Sequence, residues 1–138
     1  MEERIRYTLN KNERLKSRKK IEHLFKTGKS INAFPVRMLY VLSTNETSDN
    51  TLLAGFSAST KNFKKAVDRN RIKRLLREAY RLQKTELEKQ LKSSNKNISL
   101  FFIYSGTELP EYKLIYEKVQ TLIKRLQKNF HENSTATS

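Results

Sequence analysis

A chain of 138 residues with a formal charge of +15 has the length of one domain and the charge of a polyanion binder. The absence of cysteine excludes a disulfide framework and a thiolate zinc site. No apolar run of 18 residues and no signal-peptide core is present, which points to a cytoplasmic protein without a membrane span.

The charge is concentrated in two segments. Residues 1–30 carry ten basic and four acidic groups, net +6, and residues 61–84 carry ten basic groups against Asp68 and Glu78, net +8. Residues 1–14 are charged and lack a clear period, so they read as a basic flexible arm that orders on a partner. Ser17 is a suitable N-cap for a short helix ending at about Thr27, with Gly28 as its stop and Ile21, Leu24 and Phe25 as its apolar side. From Lys29 to about Leu42 the pattern is strand-like, and Pro35 marks a break between two strands. A polar loop, Ser43 to Asn50, leads to a third strand, TLLAGFSAS, in which Ala54, Gly55, Ser57 and Ala58 permit close backbone approach.

The segment from Thr60 to Lys65 reads as a basic loop feeding a long helix, about Ala66 to Leu91. At roughly 100° per residue, Arg69, Asn70, Lys73, Arg74, Arg77 and Arg81 fall on one arc, while Ile72, Leu75, Leu76, Ala79 and Gln83 fall on the other. A helix docked by its Leu/Ile stripe then presents a row of cations with almost no acidic relief. A solvated basic face is the bland reading of an ordinary charge run, but this run is unusually one-signed. A membrane anchor fits less well, because such helices usually carry Trp or Phe on the apolar side. The second half of the helix, with Leu87 and Leu91, is expected to project as ordinary exposed helix. ISLFFIYS is a nearly continuous apolar strand, the mark of cover on both faces. After Gly106 and Pro110 comes a last helix from Glu111 to about Phe130, with Tyr112, Ile115, Val119, Leu122, Ile123 and Leu126 at three- and four-residue spacing. Residues 131–138 read as a disordered tail. The order α-β-β-β-α-β-α describes a small α+β sandwich with a mixed sheet, and the folded domain spans 15–130.

Catalytic chemistry is not encoded in any recognisable constellation. His23 and His131 are the only histidines and have no third partner by spacing, and Asp68 and Glu78 sit among arginines, where ion pairing is the simpler reading. No metal site or small-molecule substrate pocket is indicated. The candidate nucleic-acid-binding set is instead Lys61, Lys64, Lys65, Arg69, Asn70, Arg71, Lys73, Arg74, Arg77 and Arg81.

The element order and the run RNRIKRLLRE together resemble the protein component of bacterial ribonuclease P, over about Leu15 to Phe130. The family carries an Arg-Asn-x-x-Lys-Arg-x-x-Arg signature, matched here by Arg69, Asn70, Lys73, Arg74 and Arg77. AGFSAST is similar to the family strand before it, whereas KNFKKAVD has one extra residue and places Phe63 where the family often has Gly. The resemblance implies a left-handed crossover joining the third strand, the basic helix and the last strand. It also implies the protein subunit of a tRNA-processing endonuclease in which the RNA subunit does the chemistry, with Mg2+ held mainly by RNA. The implied partners are the catalytic RNA and precursor tRNA, whose 5′ leader lies in a cleft that Phe25 and Tyr40 would line. Ile21 stands where many relatives have an aromatic. From spacing alone, Phe25 and Tyr40 read more simply as packed core. A ribosomal or other structural RNA-binding protein shares the size and basicity, and a DNA-binding regulator is the third reading, although no helix-turn-helix pair is seen.

Overall fold

The ISLFFIY run lies at the centre of the molecule because it alone can bury both of its faces. In this computed structural model, which describes residues 14–15, 18–44, 52–94 and 96–135, the elements are α1 (Arg18–Thr27), β1 (Lys29–Ala33), β2 (Val36–Thr44), β3 (Leu52–Ala58), α2 (Ala66–Gln83), α3 (Thr85–Ser94), β4 (Lys96–Tyr104) and α4 (Tyr112–Thr135). The four strands form one mixed sheet in the order β1-β2-β4-β3, so β4 is interior. It pairs antiparallel with β2 and parallel with β3. The parallel pair requires a crossover connection, which α2 and α3 supply.

Register decides which side chains share a face. Met38, Phe102 and Phe56 stand opposite one another, as do Tyr40, Leu100 and Ala54. Their common face packs against α2, α3 and α4 to form the main core, into which Ile72, Leu76, Ala79 and Tyr80 from α2 and Ile115, Val119, Leu122 and Leu126 from α4 are all buried. Rings of Phe56, Tyr80 and Phe102 meet at 5.6–5.8 Å in its centre. The opposite face carries Leu39, Phe101 and Leu53, covered by α1 through Leu24 and by Leu15. Gly55 is required there: a Cβ at this position would lie 2.6 Å from the Phe101 ring.

The structure differs from the sequence expectation at the long helix, which bends at Lys84 into α2 and α3. Lys84 remains αR, with φ −73° and ψ −17°. The Gln83 side chain donates to the carbonyls of Ala79 at 3.1 Å and Tyr116 at 3.2 Å, tying the bend to α4. The change of direction brings Leu87 and Leu91 into the main core, so the second half is not an exposed projection. Lys84 itself is buried, with its Nζ 3.5 Å from Glu88. The last helix also outruns its expected end at Phe130: α4 continues through Thr135, taking in the start of the segment expected to be an unstructured tail. Residues 136–138, most of the N-terminal arm, the Ser17 cap and the loop 45–51 lie outside the described residues. The Phe34–Pro35 peptide in the β1–β2 turn is cis.

Candidate nucleic-acid interface

Two surfaces flank the β3 edge. The first is built from α2 and the loop before it. Lys65, the N-cap of α2, is extended and provides no side-chain cap. Arg69 instead ties down the preceding loop, its Nη1 donating at 2.8 Å to the carbonyls of both Phe63 and Lys64. Phe63 is buried with its ring 5.9 Å from Tyr104, and the Asn62 side chain donates to Ser105 O at 3.3 Å and Gly106 O at 3.1 Å. The insertion-bearing loop is therefore anchored at three points, while Lys61, Lys64 and Lys65 remain exposed.

Along α2 the cations divide by environment. Arg71 and Arg74 are exposed, as is the neutral Asn70 beside them, and Lys73 and Arg77 are half-buried. Arg77 places its guanidinium carbon 5.9 Å from the Phe56 ring centroid, and its Nε is buried without a hydrogen-bond partner among the described residues. Burial, reinforced by repulsion from Arg14 and Arg74, holds the Arg77 guanidinium below the usual arginine range. An anionic ligand would relieve that repulsion. Arg81 is engaged differently, since its guanidinium forms a two-point pair with Glu78 that includes an Nε–Oε2 contact of 3.1 Å. This contact lowers the Glu78 pKa and raises that of Arg81. Of the nine cations in the candidate set, Arg69 thus chiefly organises the loop and Arg81 is locally neutralised. Arg14, by contrast, was hidden in the arm: it bridges to Ala54 on β3, with Leu15 N–H donating to Ala54 O at 2.8 Å. Only tertiary pairing brings it to Arg77.

The second surface is the α1 side of the sheet. Phe25 is 53% exposed and meets Phe101 edge-on at 5.3 Å, while Ile21 is half-buried against the same cluster. Beyond α1 the floor continues through Arg37, Ile103 and Ser57, which are register neighbours. Arg37 is exposed and the other two are half-buried. Strand alternation in VRMLYVL was the available signal for Arg37, since it shares a side with Leu39 and Val41. Tyr40 does not belong to this surface. The same alternation turns it to the main core, where it is buried with its hydroxyl 3.5 Å from the Asn129 amide. The family-based placement of Tyr40 in the cleft is therefore corrected for this chain.

His23 is exposed and closes the end of α1 with Thr27, whose hydroxyl donates to His23 O at 2.8 Å. Among the described residues no cluster of three or more His, Cys, Asp or Glu side chains could hold a metal ion, and no helix is long and apolar enough to cross a membrane.

The family model for ribonuclease P matches residues 9–127. The chain belongs to the ribonuclease P protein family. It is 35% identical over 124 residues to the ribonuclease P protein component of Porphyromonas gingivalis, covering 89% of each chain. The corresponding protein of Chlorobium phaeobacteroides is 27% identical over 129 residues, covering 87% of this chain and 88% of its own. Among solved structures, the ribonuclease P protein from Thermotoga maritima superposes with a TM-score of 0.60 at 26% identity, over 82% of this chain and 96% of that one. The Staphylococcus aureus protein shares the fold, with a TM-score of 0.58 at 22% identity over 84% and 96% of the respective chains. The chain is accordingly the protein subunit of a ribonucleoprotein endoribonuclease acting in tRNA processing.

Proposed function

We propose that this ribonuclease P subunit grips the catalytic RNA with the α2 surface and guides the 5′ leader of precursor tRNA across the α1 face of the sheet. The observation that carries the reading is the exposed row Asn70, Arg71 and Arg74, continuous with Lys61, Lys64 and Lys65 and free of acidic neighbours in the loop. Arginine's planar fork holds phosphate oxygens in pairs, and lysine adds unoriented charge. Lys73, Arg77 and Arg14 extend the row to the β3 edge, with Arg69 keeping the loop in place and Arg81 held in reserve by Glu78.

On the other surface, Phe25 offers an accessible ring beside Ile21, with Arg37 further along the floor. Base–aromatic stacking tolerates any base, which suits leaders that differ between tRNAs. Hydrolysis is assigned to the RNA, together with the Mg2+ that would supply its activated water. The side chains of this protein contribute capture, orientation and charge neutralisation. The compartment proposed is the cytoplasm.

Reconstitution with the cognate catalytic RNA and a precursor tRNA tests this reading. The polypeptide alone should not cleave, whereas adding it to the RNA at moderate Mg2+ should accelerate 5′ maturation. Specific cleavage by RNA-free protein would overturn the assignment of chemistry to RNA.

A further inference from the structure

The β1–β2 turn presents an aromatic ring that the fold does not use. Phe34 is 74% exposed, against 53% for Phe25. Turn positions are ordinarily filled by Gly, Asn, Asp, Ser or Pro, each for a backbone reason, and nothing in the turn requires a benzyl group. An isolated apolar side chain at a surface means little by itself. What distinguishes Phe34 is the bracing beneath it. Pro35 is buried, and its carbonyl accepts from Ser105 N–H at 2.8 Å and from Ser105 Oγ at 3.2 Å. The carbonyl of Asn32 accepts from Arg125 Nη1 at 2.7 Å. The backbone on both sides of the exposed ring is therefore held by α4 and by the segment after β4.

The same bracing links the turn to the basic loop. Asn62, between Lys61 and Phe63, donates to the carbonyls of Ser105 and Gly106, so one short chain of hydrogen bonds runs from the Lys61–Lys65 loop through Ser105 to Pro35. Arg37, the register partner of Asn32 on the same hairpin, is a further exposed cation. An exposed ring on a braced turn that is tied to a lysine-bearing loop, on a chain of net charge +15, matches a ligand with a flat face and an anionic backbone.

We infer that Phe34 is a stacking platform for an unpaired base of the bound RNA, extending the basic rim formed by the loop before α2. This inference rests on the RNA-binding reading above and adds a contact outside both the α2 row and the Phe25 surface. Because the backbone beneath the ring is already braced, stacking has only the two side-chain torsions left to order, and that preorganisation favours affinity.

The chain has no tryptophan, so Phe34→Trp installs a single fluorophore at the site. In titrations of this variant with the catalytic RNA, with precursor tRNA and with their reconstituted complex, at least one should quench the indole saturably. A fully paired RNA duplex of similar charge should not. In parallel, Phe34→Ala should weaken the responding RNA by about 5-fold or more, as expected for loss of one base–aromatic stack. Phe34→Tyr should restore binding, and thermal unfolding of all variants should match the unaltered chain because the ring is exposed.

Phe34→Leu separates stacking from mere apolar contact: equal binding by the Leu and Phe forms would overturn the proposal. So would unchanged indole emission in every RNA complex. If Phe34→Ala binds normally while Arg74→Ala does not, the platform is wrong and the RNA-binding reading stands. If neither substitution alters RNA affinity, the RNA-binding reading itself fails and the platform fails with it.

Discussion

The two faces of the sheet are built from the same four strands and have opposite tasks. Against α2, α3 and α4, the face carrying Met38, Tyr40, Leu100 and Phe102 is closed over by a large core. On the α1 side the buried apolar cluster among the described residues is limited to Leu15, Leu24, Leu39 and Phe101, and the floor stays open at Arg37 and Phe25. One short helix cannot cover a four-stranded sheet. The uncovered part is thereby available to a ligand, while stability is left to the helical side. Adjacent residues of β4 fall on opposite sides of this division, Phe102 in the closed core and Phe101 beneath Phe25.

The strongest test of the division compares those neighbours. Phe102→Ala should destabilise the domain by about 3–5 kcal/mol, the range for truncating a fully buried aromatic. Phe101→Ala should cost visibly less, because the overlying layer is thin and can collapse onto the gap. Chemical denaturation of both variants measures the difference, and equal losses would mean that the α1 side is as much a core as the other.

A second comparison sets Tyr40 against Phe25. Tyr40→Ala should lower stability by about 3 kcal/mol, comparable to other large aromatic truncations, with no particular effect on leader recognition by the protein that remains folded. Phe25→Ala should leave unfolding nearly unchanged yet weaken precursor tRNA by about 1–3 kcal/mol for one lost stack, without weakening mature tRNA. Binding measurements with leader-bearing and leaderless substrates decide it. Loss of leader discrimination in Tyr40→Ala alone would return Tyr40 to the cleft.

On the α2 surface, Arg74→Ala should weaken the catalytic RNA and reduce the slope of log affinity against log salt by about one unit, as for one lost phosphate contact. Arg69→Ala should differ by also loosening the loop, detectable as faster proteolysis between Thr60 and Lys65. An unchanged salt slope for Arg74→Ala would remove that residue from the phosphate contacts.

The smallest effect concerns Glu78 and Arg81. Because Arg81 lowers the Glu78 pKa, the pair adds stability above the ordinary carboxylate range and loses it as pH falls through the depressed value. The side chains are partly exposed, so the change in Tm on acidification should be slight and should shrink in high salt. Glu78→Gln should abolish this component and remove the negative charge beside Arg81, leaving RNA affinity equal or modestly stronger. A large loss of affinity would show that the Glu78–Arg81 pair, rather than the Arg81 charge, is what RNA requires.

Much of this was legible in the residues because it depends on local periodicity. The 3.6-residue spacing of Ile72, Leu76 and Ala79 placed one side of α2 inward, and the unbroken apolar run of β4 required burial on both faces. The contiguous Arg69–Arg77 signature pointed to the family that the relatives then established. Tertiary structure alone decided the rest. The bend at Lys84 follows from where the sheet and α4 lie, since Leu87 and Leu91 reach the core only after a change of direction. Tyr40 was placed in the cleft by resemblance, against a spacing that read it as core, and the core reading holds; alternation fixes which residues share a face but not which face α1 covers. Arg14 joined Arg77 through a strand pairing that spans 40 positions of sequence, from Arg14 to Ala54. Charge content is a property of composition; which arginine stays free, which braces a loop and which is silenced by a carboxylate depends on neighbours that only folding supplies.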